Sequence, residues 1–242
     1  MGLGIFNFLK KIKKNTNIKN KVDYTTTYEK NLKLENAILF ESYHGKQIAS
    51  NEFYLLSELK NYDLSNLKVY VSSDNKNVEA IKSRLNTYKI DFAEVIEKGS
   101  REYNLILCTA KYLINSTSFP DYFIKRDGQV YLNTWHGTPL KYMGKKDKLS
   151  PHSITNIQRN FLMSDYILFP NNHTKDVFHE DYMLDNLYTG KYIVSGYPRN
   201  KIFYDFASRL TTRENLELTG KRVIAYSQLG VVYSVKSVTK RS

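Results

Sequence analysis

The chain has 242 residues, 41% of them hydrophobic, which is enough for one large domain or two small ones around a buried core. No apolar run approaches the ~20 residues of a membrane-spanning helix, and the single cysteine, Cys108, excludes an intrachain disulfide. The formal net charge of +12 favours anionic partners, but six lysines in residues 1–22, with no acid among them, carry half of it.

In the first segment Ile5, Phe8, Leu9 and Ile12 fall at i, i+3, i+4, i+7, with Lys10, Lys11 and Lys14 off that stripe. The spacing predicts a basic amphipathic helix over 2–14, suited to an anionic membrane surface, the alternatives being a helix docked on its own domain or a solvated end. Residues 15–21, rich in Asn and Lys, read as a linker. From Glu35 onward strands and helices alternate. Strands are expected over 37–41, 67–71, 92–96, 105–108, 129–134, 166–169 and 192–195. Helices are expected over 51–59, 75–88, 154–163 and 174–183. Such alternation implies a largely parallel sheet covered on both faces. Residues 211–220 read as a polar connector, and 221–226 as the start of a new strand.

Four polar clusters follow predicted strands: 42–46, 135–141, 171–174 and 196–200. In a parallel sheet all four stand at one edge, where ligands bind beyond the carboxyl ends of the strands. His136, at a strand tip beside the only Trp, Trp135, is the candidate for proton transfer, because an imidazole with an ordinary pKa near 6.5 accepts a proton from a hydroxyl at physiological pH. Lys46, Lys141 and Arg199, each beside a Gly or Pro turn, are candidate phosphate contacts, helped by backbone N–H groups of Gly45 and Gly137. Ser42, which opens the first cluster, and Thr138 complete the candidate set. Cys108 reads as a packed core thiol. HExxH, CxxC, P-loop, GxGxxG and GxSxG patterns do not occur, so neither a metal nor a cofactor is expected. Nucleic acid is not an expected partner, since the charge sits in the first segment and no recognition motif occurs.

The segment YLNTWHGTPLKYMG (131–144), with RNF (159–161), PNNHT (170–174) and SGYPRN (195–200), resembles the CDP-glycerol glycerophosphotransferase family of teichoic acid synthesis. ILFESYHGK (38–46) resembles the family's first strand and loop. The resemblance implies an α/β, Rossmann-like parallel sheet with helices on both faces, forming the N-terminal half of a GT-B architecture. It implies transfer of glycerol phosphate from CDP-glycerol to a hydroxyl of a lipid-linked polymer or primer, with release of CMP, at the cytoplasmic face of the membrane. His136 takes the family's histidine position, with general base as its implied role. Thr138 and Lys141 follow as phosphate or acceptor contacts, and Arg199 after them.

Two departures from the family stand out. Lys201 follows PRN where the family commonly has an acid, and the sequence ends about where a donor-binding domain begins in the family. The expected organisation is therefore 1–22 as membrane segment and linker, 23–212 as acceptor-side domain, and 213–242 as connector and start of a donor domain. Alone, such a chain is expected to be nearly inactive. The alternatives are a related transferase with another nucleotide-activated donor, such as a sugar or ribitol phosphate, and a non-catalytic membrane- or polymer-binding module.

Overall fold

The computed structural model describes residues 18–147 and 154–224. The predicted membrane-contact residues Ile5, Phe8, Leu9, Lys10, Lys11, Ile12 and Lys14 lie outside them. Seven strands form one parallel sheet: β1 (Glu35–Glu41), β2 (Lys68–Ser73), β3 (Ala93–Glu97), β4 (Ala110–Asn115), β5 (Val130–Asn133), β6 (Tyr166–Phe169) and β7 (Lys191–Val194). Their order is β3-β2-β1-β4-β5-β6-β7. The order reverses between β1 and β4, which makes that junction the switch point of a doubly wound sheet.

Both faces of the sheet are buried, as a parallel sheet requires. Along β1, Ala37 and Leu39 enter one core while Ile38 and Phe40 enter the other. The first core is closed by Tyr24 and by Tyr103, Ile106, Leu107 and Cys108 of α4 (Arg101–Thr109). The second is closed by Phe53 and Leu56 of α2 (Ser50–Glu58) and by Ile81 and Leu85 of α3 (Val78–Thr87). A third cluster gathers Trp135, Phe161 of α5 (Ile154–Met163), Phe169, and Phe178 of α6 (Asn172–Asp181).

The structure corrects three expectations. Residues 105–108 are helix, not strand: the Ser100 hydroxyl accepts from the Tyr103 amide and starts α4. Ile106, Leu107 and Cys108 then point inward and Leu105 outward. Helix passes directly into β4 at Ala110 with no Gly or Pro between them, so the local sequence carries no punctuation there. Cys108 is a buried thiol, pushed up to about 11 by burial.

The predicted linker is helical from Ile18, as part of α1 (residues 18–29). Tyr24 of that helix is 1% exposed and its hydroxyl donates to the Ile124 carbonyl at 2.9 Å. Asn20 and Lys21 are also engaged, through Asn104 and Asp121. The Asn/Lys composition hid a docked helix whose apolar contribution rests largely on one tyrosine.

The chain divides into two compact units after Lys201. In the second, α7 (Phe206–Asn215) is capped by Asp205, which accepts from the Ser208 amide at 3.0 Å. Residues 221–224, the described part of the strand expected over 221–226, are not in strand conformation, and 225–226 lie outside the described residues. Arg213 instead holds them through the carbonyls of Leu218 and Lys221.

Candidate active site

The sheet brings the four polar clusters to one edge, since β1, β5, β6 and β7 are all parallel. β5 ends at Asn133, and the chain there turns sharply. Trp135 adopts φ +48, a left-handed conformation that costs a non-glycine residue on the order of 1 kcal/mol or more. Hydrogen bonds hold it. The Trp135 amide donates to Asn133 Oδ1 at 2.9 Å, and its carbonyl accepts from Asn51 Nδ2 at 3.2 Å. The indole is buried against Phe161, Phe178 and Tyr182.

This turn presents His136 half-buried, stacked on Trp135 with ring centroids 4.4 Å apart, and 5.5 Å from the Tyr43 ring. Nδ1 lies 2.8 Å from the Ser116 carbonyl. A carbonyl only accepts, so Nδ1 carries the hydrogen and Nε2 of the neutral ring keeps its lone pair. Among the described residues Nε2 has no hydrogen-bond partner. Burial holds the imidazole below its ordinary range; the Ser116 bond opposes this, and the Arg199 guanidinium reinforces it. The ring is therefore a neutral base at physiological pH.

Arg199 is held in the site rather than in solvent. Its guanidinium donates to the His136 carbonyl at 2.8 Å and to Ser50 Oγ at 3.0 Å, and packs over the Tyr197 ring. Tyr197 in turn donates to the Gly137 carbonyl at 3.3 Å. The β7 loop thereby clamps the histidine turn from one side. Thr174 at the start of α6 reaches Thr138 at 3.3 Å and supports it from another.

Downstream, the loop is pinned where Gly144, at φ +55, packs on α6. A Cβ there would lie 2.1 Å from the Asp181 carbonyl oxygen, so only glycine fits. Lys146 adds an ion pair to Asp181 at 2.8 Å. Between the two anchors Thr138 and Lys141 are exposed. Lys141 lines a cavity of about 630 Å³ with Leu140, Tyr142, Lys146 and His173. Gly137 faces open space, as a close backbone approach to a ligand needs.

The first loop serves a different purpose from the one expected. Ser42 is buried and exchanges hydrogen bonds with both backbone groups of Ala49. Gly45 donates its N–H to the Ser42 carbonyl at 2.9 Å and packs against the Asp74 amide. Neither group is free to bind phosphate, because the tight turn consumes both. Lys46 is exposed on that loop.

Several contributors were not foreseen, Ser50 and Asn51 of α2 among them. Ser116, at the tip of the strand the sequence reading missed, orients His136. Glu52 of α2 is fully buried beneath the histidine turn and bonded to the Thr134 hydroxyl. Asn115–Ser118 is a polar run after an alternating strand, a signal that would have revealed Ser116. Nothing local marks Glu52.

The model of CDP-Glycerol:Poly(glycerophosphate) glycerophosphotransferase matches residues 23–227. The teichoic acid glycerol-phosphate transferase of Staphylococcus aureus is 30% identical over 231 residues, 88% of this chain and 56% of that protein. The teichoic acid poly(glycerol phosphate) polymerase of Staphylococcus epidermidis is 26% identical over 84% of this chain and 28% of its own length. A structure of the wall teichoic acid polymerase TagF superposes with a TM-score of 0.65 at 21% identity, covering 89% of this chain and 52% of that one. A variant of it soaked with CDPG gives 0.68 at 23% identity, covering 90% and 54%. The chain thus spans about half or less of the length of these proteins. Its Rossmann-like sheet is the fold they share, and by the match over residues 23–227 the chain belongs to the CDP-glycerol:poly(glycerophosphate) glycerophosphotransferase family.

Proposed function

We propose that this chain forms the acceptor-side wall of an active site that moves glycerol phosphate from CDP-glycerol to a hydroxyl of a lipid-linked teichoic-acid-type polymer or primer. The observation that carries the reading is His136, a neutral imidazole whose Nδ1 is committed to Ser116 and whose Nε2 is left as a base. The acceptor hydroxyl oxygen attacks the phosphorus of the glycerol phosphate unit while Nε2 takes its proton. The bond from that phosphorus to the bridging oxygen breaks, and CMP leaves with the bridging oxygen.

Proton removal of this kind contributes about 10²- to 10⁴-fold, and holding acceptor and donor in line contributes further. Arg199 plays two parts. Burial is the main reason the resting imidazole is neutral and the Arg199 charge adds to it, while the Arg199 bond to the His136 carbonyl fixes the turn. Thr138, Lys141 and the open backbone at Gly137 are the contacts proposed for phosphate oxygens of the acceptor or donor. The basic amphipathic segment 2–14, apolar stripe inward and lysines beside it, is the proposed attachment to the cytoplasmic membrane face, where the proposed lipid-linked acceptor would be reached.

The test is a donor panel, with the chain completed by the remaining length of the S. aureus relative and offered a glycerol phosphate primer. CDP-glycerol is expected to elongate the primer and release CMP, whereas the 242-residue chain alone gives only background. Turnover only with a nucleotide sugar or CDP-ribitol would contradict the proposed donor.

A further inference from the structure

Beneath the histidine turn, Glu52 is 0% exposed, and its Oε2 is buried with no hydrogen-bond partner. Its Oε1 is bonded to the Thr134 hydroxyl oxygen, which also lies 2.9 Å from the Trp135 carbonyl. A threonine hydroxyl has one hydrogen, and a carbonyl can only accept. If Thr134 donates to Trp135, the hydrogen between Thr134 and Glu52 must come from Glu52. With the carboxyl ionised, the one Thr134 hydrogen has to serve both acceptors; with the carboxyl protonated, each bond has a hydrogen of its own. The chain then runs from the Glu52 O–H to Thr134 and from the Thr134 O–H to the Trp135 carbonyl, which Asn51 Nδ2 also reaches.

The surroundings agree with a neutral acid. Thr134 comes from the tip of β5, and the nearby Ser116 and Ser42 stand at the tips of β4 and β1. Ser116 Oγ accepts from the Tyr43 amide and Ser42 Oγ is engaged with Ala49; both hydroxyls lie near enough to favour the carboxylate slightly, but neither makes a hydrogen bond to Oε2. The ionisable groups facing the site are His136 and Tyr131 from β5 and its turn, and Tyr197 and Arg199 from the loop after β7. The one cation among them, Arg199, is engaged with Ser50 and the His136 carbonyl. Burial pushes the Glu52 carboxyl up to about 7, against the smaller pulls of the Thr134 hydroxyl, its own backbone N–H and the Ser116 and Ser42 hydroxyls.

We infer that Glu52 is a positioning residue that works in its protonated form, fixing the strained Trp135–His136 turn through Thr134 and releasing one of its supports when it ionises. The inference rests on the reading of His136 as the base. On ionisation the Thr134 hydrogen is drawn to the carboxylate, and the Trp135 carbonyl keeps only its bond from Asn51. Base and support then act in opposite directions: His136 must lose its proton to work, and Glu52 must keep its own.

Linkage gives the sign of the stability effect. A carboxyl raised from an ordinary 4.5 to about 7 binds its proton more tightly in the folded chain. Its contribution is full below pH 4.5 and is lost as pH rises through about 7. Glu52→Gln keeps a donor toward Thr134 and has no charge to gain.

The experiment follows the His136 ring by isotope-edited NMR across pH in the 242-residue chain and in its Glu52→Gln variant. Wild type is expected to show two inflections, one below 6.5 from the imidazole and one near 7 from Glu52; the variant should show only the first. Infrared difference spectra of the wild type should lose a protonated-carboxyl band across the same upper step, a reading that needs no variant to fold. A single inflection in both proteins, or no such band, would overturn the inference. Neither readout needs turnover. Failure of the donor panel with both signals present would refute the proposed reaction and leave Glu52's coupling standing.

Discussion

Replacing His136 by Ala is expected to slow glycerol phosphate transfer by about 10²- to 10⁴-fold, about 3–5 kcal/mol of transition-state stabilisation, while the chain stays folded. The two effects separate because the ring is half-buried. It contributes one stack on Trp135 and one bond to the Ser116 carbonyl, so its loss is expected to cost about 1 kcal/mol of stability. Rate, measured as CMP release by the completed chain, should collapse with only a small change in thermal midpoint. A variant retaining more than a tenth of the wild-type rate would show that the acceptor hydroxyl loses its proton to some other group.

Trp135→Ala should do the opposite, striking the fold first. The indole is 4% exposed and meets Phe161, Phe178 and Tyr182 in the third core cluster. Truncating a buried aromatic of this size costs about 3–5 kcal/mol, since the neighbours close the cavity only in part. The backbone adds to this: position 135 stays at φ +48, where Ala is no better placed than Trp and no longer has the ring to hold the turn. Chemical denaturation of the 242-residue chain should show that loss, with a drop in midpoint on the order of 10 °C in a thermal scan. A loss below 1 kcal/mol would mean that the histidine turn is not braced by this cluster.

The alternation of strands and helices was legible in the sequence because both faces of the sheet are covered, giving runs such as Ala37–Ile38–Leu39–Phe40 that no solvent-facing strand would carry. From that alternation and the Gly and Pro residues after β1, β5 and β7, the edge carrying His136 and Arg199 followed. The same reasoning failed where punctuation is missing. Residues 105–108 are equally apolar as strand or helix, and only Ser100, five residues earlier, marks the helix start. Misplacing β4 also hid Ser116, the group that sets the tautomer of His136.

Ser42 and Gly45 illustrate a different limit. Polar and glycine residues after a strand are equally what a ligand loop and a tight turn need, and here the turn takes their hydrogen-bonding groups. Glu52 was illegible for a third reason. A glutamate in the first turn of an amphipathic helix normally faces water and favours the helix dipole; its burial arises only from the strand tips that the sheet stacks above it.

The claim on which the rest depends is that His136 offers a neutral Nε2 to an acceptor hydroxyl. The most direct measurement is ¹⁵N NMR of the His136 ring in this chain, with and without a soluble glycerol phosphate oligomer. The structure predicts the Nδ1–H tautomer at neutral pH, a protonation midpoint below 6.5, and a shift of the Nε2 signal when the oligomer is added. An Nε2–H tautomer, or a midpoint above 6.5 with no response to the oligomer, would contradict it.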